Sequence, residues 1–160
     1  MAFEIVKEQR TNAMNTSIKI FILDDNRYFG TMVKHVLTKQ NREITYFQTE
    51  MEFIRKLSDN PDVIILDHKL EHCTGLEILE VIKRKCGNKT NVIYFSAQEY
   101  LNVTLKSLRN GAIEYVEKGL TPLAYLDNVI EKISIHTNNF LEPINLEAYR
   151  SDSKVYNLNA

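Results

Sequence analysis

Cysteine is scarce in this chain: Cys73 and Cys86 are the only two in 160 residues, and their spacing is not a CxxC. No secretory signal precedes them, which argues against a disulfide-stapled secreted scaffold and leaves reduced thiols as the default. The N-terminus MAFEIVKEQR places charges where a signal peptide needs an unbroken apolar run. No segment approaches the roughly 18 to 20 apolar residues of a membrane span, because Asp, Lys or Glu interrupts every candidate. Neither sign of charge is in excess: 20 Lys+Arg against 21 Asp+Glu give −1, so nothing in the total favours DNA, RNA or an anionic membrane. Internal repeats and low-complexity tracts are also missing. What remains is a soluble chain expected in the cytoplasm, with 44% hydrophobic residues to build one core and too little length for two ordinary domains.

Short runs rich in β-branched and aromatic residues punctuate it: IKIFIL (18–23), EITYF (43–47), DVIIL (62–66), NVIYF (91–95) and, more weakly, AIEYV (112–116). Continuous apolar stretches such as VIIL suit strands covered on both faces, and hence a parallel sheet. Between them the apolar residues recur with helical period. Tyr28, Phe29, Met32, Val33, Val36 and Leu37 mark a first helix, Phe53, Ile54 and Leu57 a short second, and Leu76, Ile78, Leu79 and Ile82 a third. Leu101, Leu105 and Leu108 mark the fourth; Thr121-Pro122 opens the fifth with a cap-then-proline pattern, followed by Leu123, Leu126, Val129, Ile130 and Ile133. Five β/α units predict a doubly wound α/β fold with a five-stranded parallel sheet, helices on both faces and functional groups at the carboxyl ends of the strands. The expected organisation is an N-terminal arm at 1–16, one domain at 17–136 and a C-terminal tail at 137–160.

Asp24-Asp25 follows the first strand and Asp67 the third, so this fold gathers three carboxylates at one edge of the sheet. Such a cluster repels itself, and a hard dication with oxygen ligands removes the penalty. Mg²⁺ is the natural occupant. Ser96 ends the fourth strand and Lys118 the fifth. Taken singly, an Asp-Asp pair at a strand end is more often a helix cap or solvated turn, and a lone Ser or Lys in a loop is ordinary surface.

Taken together, Asp24-Asp25, Asp67, Ser96 and Lys118 at successive strand ends resemble the response regulator receiver domains over about residues 17–136. The flavodoxin-like (βα)₅ fold of that family matches the one read above. The resemblance implies that Asp67 is the phosphoacceptor and that Asp25, Asp67 and the backbone carbonyl of Lys69 bind Mg²⁺ directly, with Asp24 acting through water. It also implies that Ser96 and Lys118 contact the phosphoryl oxygens, and that Tyr115 is the switch aromatic coupled to Ser96. Gly75, eight residues after Asp67 in LDHKLEHCTG, matches the family's glycine after this strand. These roles suit phosphoryl transfer, which asks a protein mainly for positioning and charge stabilisation. The expected function is a signalling switch, not an enzyme beyond its own phosphorylation and dephosphorylation. It would take phosphate from a sensor histidine kinase or phosphotransfer protein and signal to a downstream protein, with no nucleic-acid or membrane partner.

Two positions depart from the family pattern. Gly119 stands where a proline usually follows the lysine, so a trans Lys118-Gly119 bond is open to it, and Glu71 replaces the usual proline four residues after the acceptor. His68, His72 and Cys73 fit no common zinc spacing and read as loop side chains. A haloacid dehalogenase would want Asp-x-Asp, a nucleotide binder a phosphate-cradling loop unlike DDNRYFG, and a receiver fold kept only for binding need not fill all the site positions. The stretch from Asn138 is too short for an effector domain; its Phe140, Leu141, Ile144, Leu146, Tyr149, Val155 and Tyr156 could pack on the domain or a neighbour, or stay disordered. Phosphorylation is expected to act through the fourth helix, fifth strand and fifth helix, where Lys106, Arg109, Glu117, Asp127 and Glu131 could pair across a symmetric homodimer.

Overall fold

A computed structural model describes residues 17–97, 101–119 and 122–138. The arm at 1–16, the tail from residue 139 and the expected Thr121 cap lie outside the described residues. Strand β1 (Ile18–Leu23) leads to α1 (Arg27–Leu37), β2 (Arg42–Phe47) to α2 (Glu50–Lys56) and a 3₁₀ turn (Leu57–Asp59), and β3 (Val63–Leu66) to α3 (Gly75–Cys86). After these come β4 (Asn91–Ser96), α4 (Leu101–Arg109), β5 (Glu114–Glu117) and α5 (Pro122–Asn138). All five strands are parallel, in the order β2-β1-β3-β4-β5. The order reverses between β1 and β3, which opens a crevice at their carboxyl ends.

Alternation along each strand feeds two separate cores. Phe21, Leu23, Ile64, Leu66, Val92 and Tyr94 face α2, α3 and α4, where Phe53, Leu79, Ile82 and Val103 meet them. Ile20, Ile22, Ile65, Ile93 and Phe95 face α1 and α5, where Val33, Leu37, Leu126 and Ile130 meet them. Side-chain caps fix three helix starts: Asn26 accepts from the Phe29 N–H, Thr49 from Glu52, and Thr74 forms a reciprocal capping box with Glu77.

Three expectations need correction. On α1 the buried stripe is Gly30, Val33 and Leu37, with Phe29 partly buried beside it, whereas Tyr28 (92% exposed), Met32 and Val36 form a second stripe in solvent. On α4 the buried side chains are Val103 and Ser107, while Leu101 and Leu105 are exposed. The fifth strand begins at Glu114 instead of Ala112, because the Ala112 N–H closes the preceding helix onto the Ser107 carbonyl.

Asp127 and Glu131, considered above as partners across a dimer, are engaged within the chain. Arg42, with its side chain fully buried, places Nη1 2.5 Å from Asp127 Oδ1 and Nη2 3.0 Å from Glu131 Oε2, and Lys39 lies 2.9 Å from Asp127 Oδ2. A second bond, Nη1 to the Leu37 carbonyl, ties the end of α1 into this clamp. Burial pushes the Asp127 carboxyl up, but hydrogen bonds and charge from Lys39 and Arg42 outweigh it and hold the group below the usual carboxylate range. A carboxyl whose folded pKa is depressed stabilises the fold above its unfolded pKa, and that contribution is lost as pH falls through the folded value. Asp127→Asn is therefore expected to cost about 0.5–1 kcal/mol at neutral pH, because the group is part-exposed. Urea denaturation across pH should show the difference from the parent shrinking below pH ~4.

Candidate functional site

The sheet itself positions the site, because its ladders run one residue past the strands. The Asp24 N–H donates to the Phe47 carbonyl, Asp67 N–H to Leu23 and Lys118 N–H to Ser96. Asp24, Asp67 and Lys118 thus leave their strands with the backbone pinned to a neighbour, and parallel pairing brings them to the same edge as Asp25 and Ser96. Asp24, Asp67 and Ser96 are buried, and Asp25 is half-buried.

Carboxylate oxygens of Asp24, Asp25 and Asp67 lie within 4.8 Å of one another. Burial raises the pKa of Asp24 above its usual value; hydrogen bonding and charge from Lys118 oppose it, and the Asp67 charge adds to it. Burial likewise raises Asp67, against the Lys118 charge and hydrogen bond and the His68 N–H that donates to Asp67 Oδ1 at 2.8 Å. Lys118 Nζ bridges the pair, 2.7 Å from Asp24 Oδ2 and 3.1 Å from Asp67 Oδ1. One ammonium therefore partly compensates a cluster that is anionic overall. Three hard oxygen donors, crowded and short of positive charge, are a donor set that fits a divalent cation such as Mg²⁺.

No peptide bond among the described residues is cis, so the bond from Lys118 to Gly119 is trans. The lysine reaches the carboxylates nonetheless. Glycine's conformational freedom is not what allows it: Gly119 does not adopt positive φ, and a Cβ there would meet nothing within 4 Å.

Gly75 has a stricter task. A Cβ on it would lie 2.2 Å from the Asp67 carbonyl oxygen and 2.7 Å from the Tyr94 hydroxyl, and its N–H donates to the His68 carbonyl at 2.7 Å. The start of α3 can sit against the Asp67 backbone because the side chain is absent. Between them, Lys69 bridges to Thr74 and closes the loop, with its own side chain exposed.

Tyr115 lies directly opposite Tyr94 on the neighbouring strand, their rings stacked at 5.8 Å. Burial pushes the Tyr115 phenol up, while hydrogen bonds with Thr104 and Ser96 pull it down. Its hydroxyl is thus turned toward the site and joins β5, the end of β4 and α4. Tyr94 in turn is fully buried, and its hydroxyl meets His68 Nδ1 at 2.5 Å. On the other flank, Tyr46 donates to the Asp24 carbonyl at 2.9 Å.

Sequence reasoning had not marked Tyr46, Tyr94 or Thr104, and it had placed His68 among loop side chains. Tyr46, Tyr94 and Thr104 sit on regular elements, and their roles depend on strand register. His72 and Cys73 face Glu50, which accepts from the His72 N–H at 3.0 Å and lies 3.8 Å from Cys73 Sγ. Burial and the charges of Glu50 and Glu77 push the Cys73 thiol up to about 11.

A sequence profile described as the response regulator receiver domain matches residues 20–130, and the chain belongs to that family. It is thereby a receiver domain, a phosphorylation-dependent signalling switch of the two-component type. A protein-glutamate methylesterase/protein-glutamine glutaminase of Paramagnetospirillum magneticum is 31% identical over 129 residues, 75% of this chain and 36% of that protein. The chain spans about a third of the length of the curated methylesterases it matches, and the activity in their name is said of them alone. Among solved structures, the response regulator DrrB of Thermotoga maritima is 28% identical with a TM-score of 0.63, over 73% of this chain and 54% of that one. A receiver domain protein from Clostridium thermocellum shares the fold at 24% identity and a TM-score of 0.69, over 78% of this chain and 99% of that one. Among the described residues no helix is long and apolar enough to cross a membrane.

Proposed function

We propose that Asp67 accepts a phosphoryl group from a sensor histidine kinase or phosphotransfer protein in a Mg²⁺-dependent reaction. The bridge of Lys118 across Asp24 and Asp67, within a three-carboxylate cluster, carries this reading. An Asp67 carboxylate oxygen forms the new bond to phosphorus as the bond from phosphorus to the donor breaks. Lys118, already within reach, turns its ammonium to a phosphoryl oxygen, and the Ser96 hydroxyl donates to another. Asp25, Asp67 and the Lys69 carbonyl would hold the cation directly and Asp24 through water; when bound, it supplies further positive charge for the phosphoryl oxygens.

Ser96 shares its hydroxyl with the Tyr115 phenol. A phosphoryl group that claims the serine changes the partners left to Tyr115, and through Thr104 the position of α4. The output face is thus α4, β5 and α5, read by a downstream protein in the cytoplasm or by a second copy of this chain. The core domain runs over 17–136, with 1–16 and 137–160 as extensions.

Phosphoramidate, a small phosphorus–nitrogen donor, should add one phosphoryl group that hydroxylamine removes, as expected of an acyl phosphate, and EDTA should prevent its addition. A phosphate stable to hydroxylamine would place the chemistry elsewhere. The carboxylates should also differ in their hold on the metal. Asp25→Ala is expected to weaken Mg²⁺ binding more than Asp24→Ala, because a direct ligand is lost in one case and a water-mediated contact in the other. NMR titration decides it, and an equal or larger loss at Asp24 would reverse the assignment.

A further inference from the structure

The glycine after Lys118 brings no side chain to buttress the lysine, so something else must set the line along which its ammonium approaches. The structure supplies an aromatic ring. Lys118 Nζ stands 4.3 Å from the centroid of Phe29 and 5.9 Å from that of Phe95, with the two carboxylates as its ionic partners. Phe29 is itself fixed by the acidic loop. The Asn26 N–H donates to Asp24 Oδ1 at 2.9 Å, the Asn26 side chain accepts from the Phe29 N–H at 3.1 Å, and the Phe29 ring packs on Phe95 at 5.4 Å. The contacts form a closed circuit from Asp24 through Asn26 and Phe29 to Lys118 and back to Asp24.

The carboxylates alone cannot fix Lys118 through a phosphorylation cycle, because a bound cation or a phosphoryl group on Asp67 changes the charge they present. The negative face of an aromatic ring does not change in this way. We propose that Phe29 is a positioning residue for Lys118, whose ring face sets where the ammonium meets the phosphoryl group, in place of backbone rigidity after the lysine. This rests on Asp67 being the phosphoacceptor. It adds that the first turn of α1, tied through Asn26 to the loop carrying Asp24 and Asp25, also aims the lysine.

The test separates the ring's electrostatics from its bulk. Phe29→Leu should slow phosphorylation by acetyl phosphate about threefold to tenfold, and Phe29→Tyr should stay within roughly twofold of the parent. Phenylalanines carrying one, two and three ring fluorines at position 29 keep the shape nearly unchanged while draining the ring face. The rate should fall stepwise along that series, whereas a residue that only packs would give a flat one. A second readout needs neither metal nor phosphate. In the metal-free parent, the Lys118 ε-CH₂ protons should be shifted upfield by the ring current, and most of that shift should be lost in Phe29→Leu, leaving only what the more distant Phe95 ring contributes. A flat fluorine series, or Lys118 protons at ordinary lysine positions in the parent, overturns the proposal. A parent that takes no phosphate would instead refute the role of Asp67, and the metal-free spectrum would still decide that of Phe29.

Discussion

Asp67→Asn should abolish phosphorylation while making the protein more stable at neutral pH. Intact-mass measurement with acetyl phosphate and Mg²⁺ should find one added phosphate on the parent and none on the variant, since an amide oxygen is too weak a nucleophile to replace the carboxylate. The stability half follows from the same side chain. Folding raises the pKa of Asp67, with burial as the main cause. A carboxyl raised in this way binds more protons folded than unfolded, so its ionised form costs stability above the unfolded pKa, and the cost disappears below it. The neutral amide avoids that cost at pH 7 and leaves Lys118 still paired with Asp24. Urea midpoints for variant and parent should therefore differ at pH 7 and converge below pH ~4. Phosphate retained by the variant would move the acceptor elsewhere; a variant less stable than the parent at pH 7 would mean that lost hydrogen bonds outweigh the relieved burial.

The second large effect concerns Gly75. Glycine to alanine within a helix ordinarily stabilises by roughly 0.5–1 kcal/mol. At Gly75 the sign should reverse, because the added methyl would meet the Asp67 carbonyl oxygen at 2.2 Å and the Tyr94 hydroxyl at 2.7 Å. The first of these is backbone and cannot swing aside. Gly75→Ala is expected to cost about 1–3 kcal/mol, the range for overpacking, measured by urea denaturation. It should also slow phosphorylation, since any relief of the clash moves the Asp67 main chain. Tyr94→Phe in the same background removes the softer of the two contacts, so it should recover little. An unchanged or raised stability in Gly75→Ala would show that the loop yields without cost.

The sequence carried the sheet and the five charged or hydroxyl positions at its edge, for a simple reason. Asp24 and Asp67 directly follow apolar runs, Ser96 closes one and Lys118 follows the last residue of the fifth strand, so locating the strands located the site. Helix faces were harder to read. Tyr28, Met32 and Val36 recur four apart beside the stripe of Phe29, Val33 and Leu37, and periodicity alone merged a solvent stripe with a core one. Contacts distant in sequence were invisible: Arg42 holds Asp127 and Glu131 across more than 80 residues. Nothing local in IEKIS or AYLDN reports that commitment. Tyr94 and Tyr115 face each other because of register, and His68 meets Tyr94 because the loop turns back on Gly75. Gly119, a departure from the family pattern, does not keep Lys118 from the carboxylates.

The slight anchoring of α4 bears on how strong a signal has to be. Among its described residues, α4 buries Val103 and Ser107, and the serine hydroxyl bonds within the same helix, to the Thr104 carbonyl at 2.8 Å. With one well-buried aliphatic side chain among its described residues, α4 is expected to open locally more readily than α3, which places Ile78, Leu79 and Ile82 in the core. Coupling between two sites in a protein is typically worth about 1–3 kcal/mol, a push that acts more readily on the lightly anchored α4 than on α3. On the proposed function, one phosphoryl group would therefore act on α4 before it disturbs the rest of the fold.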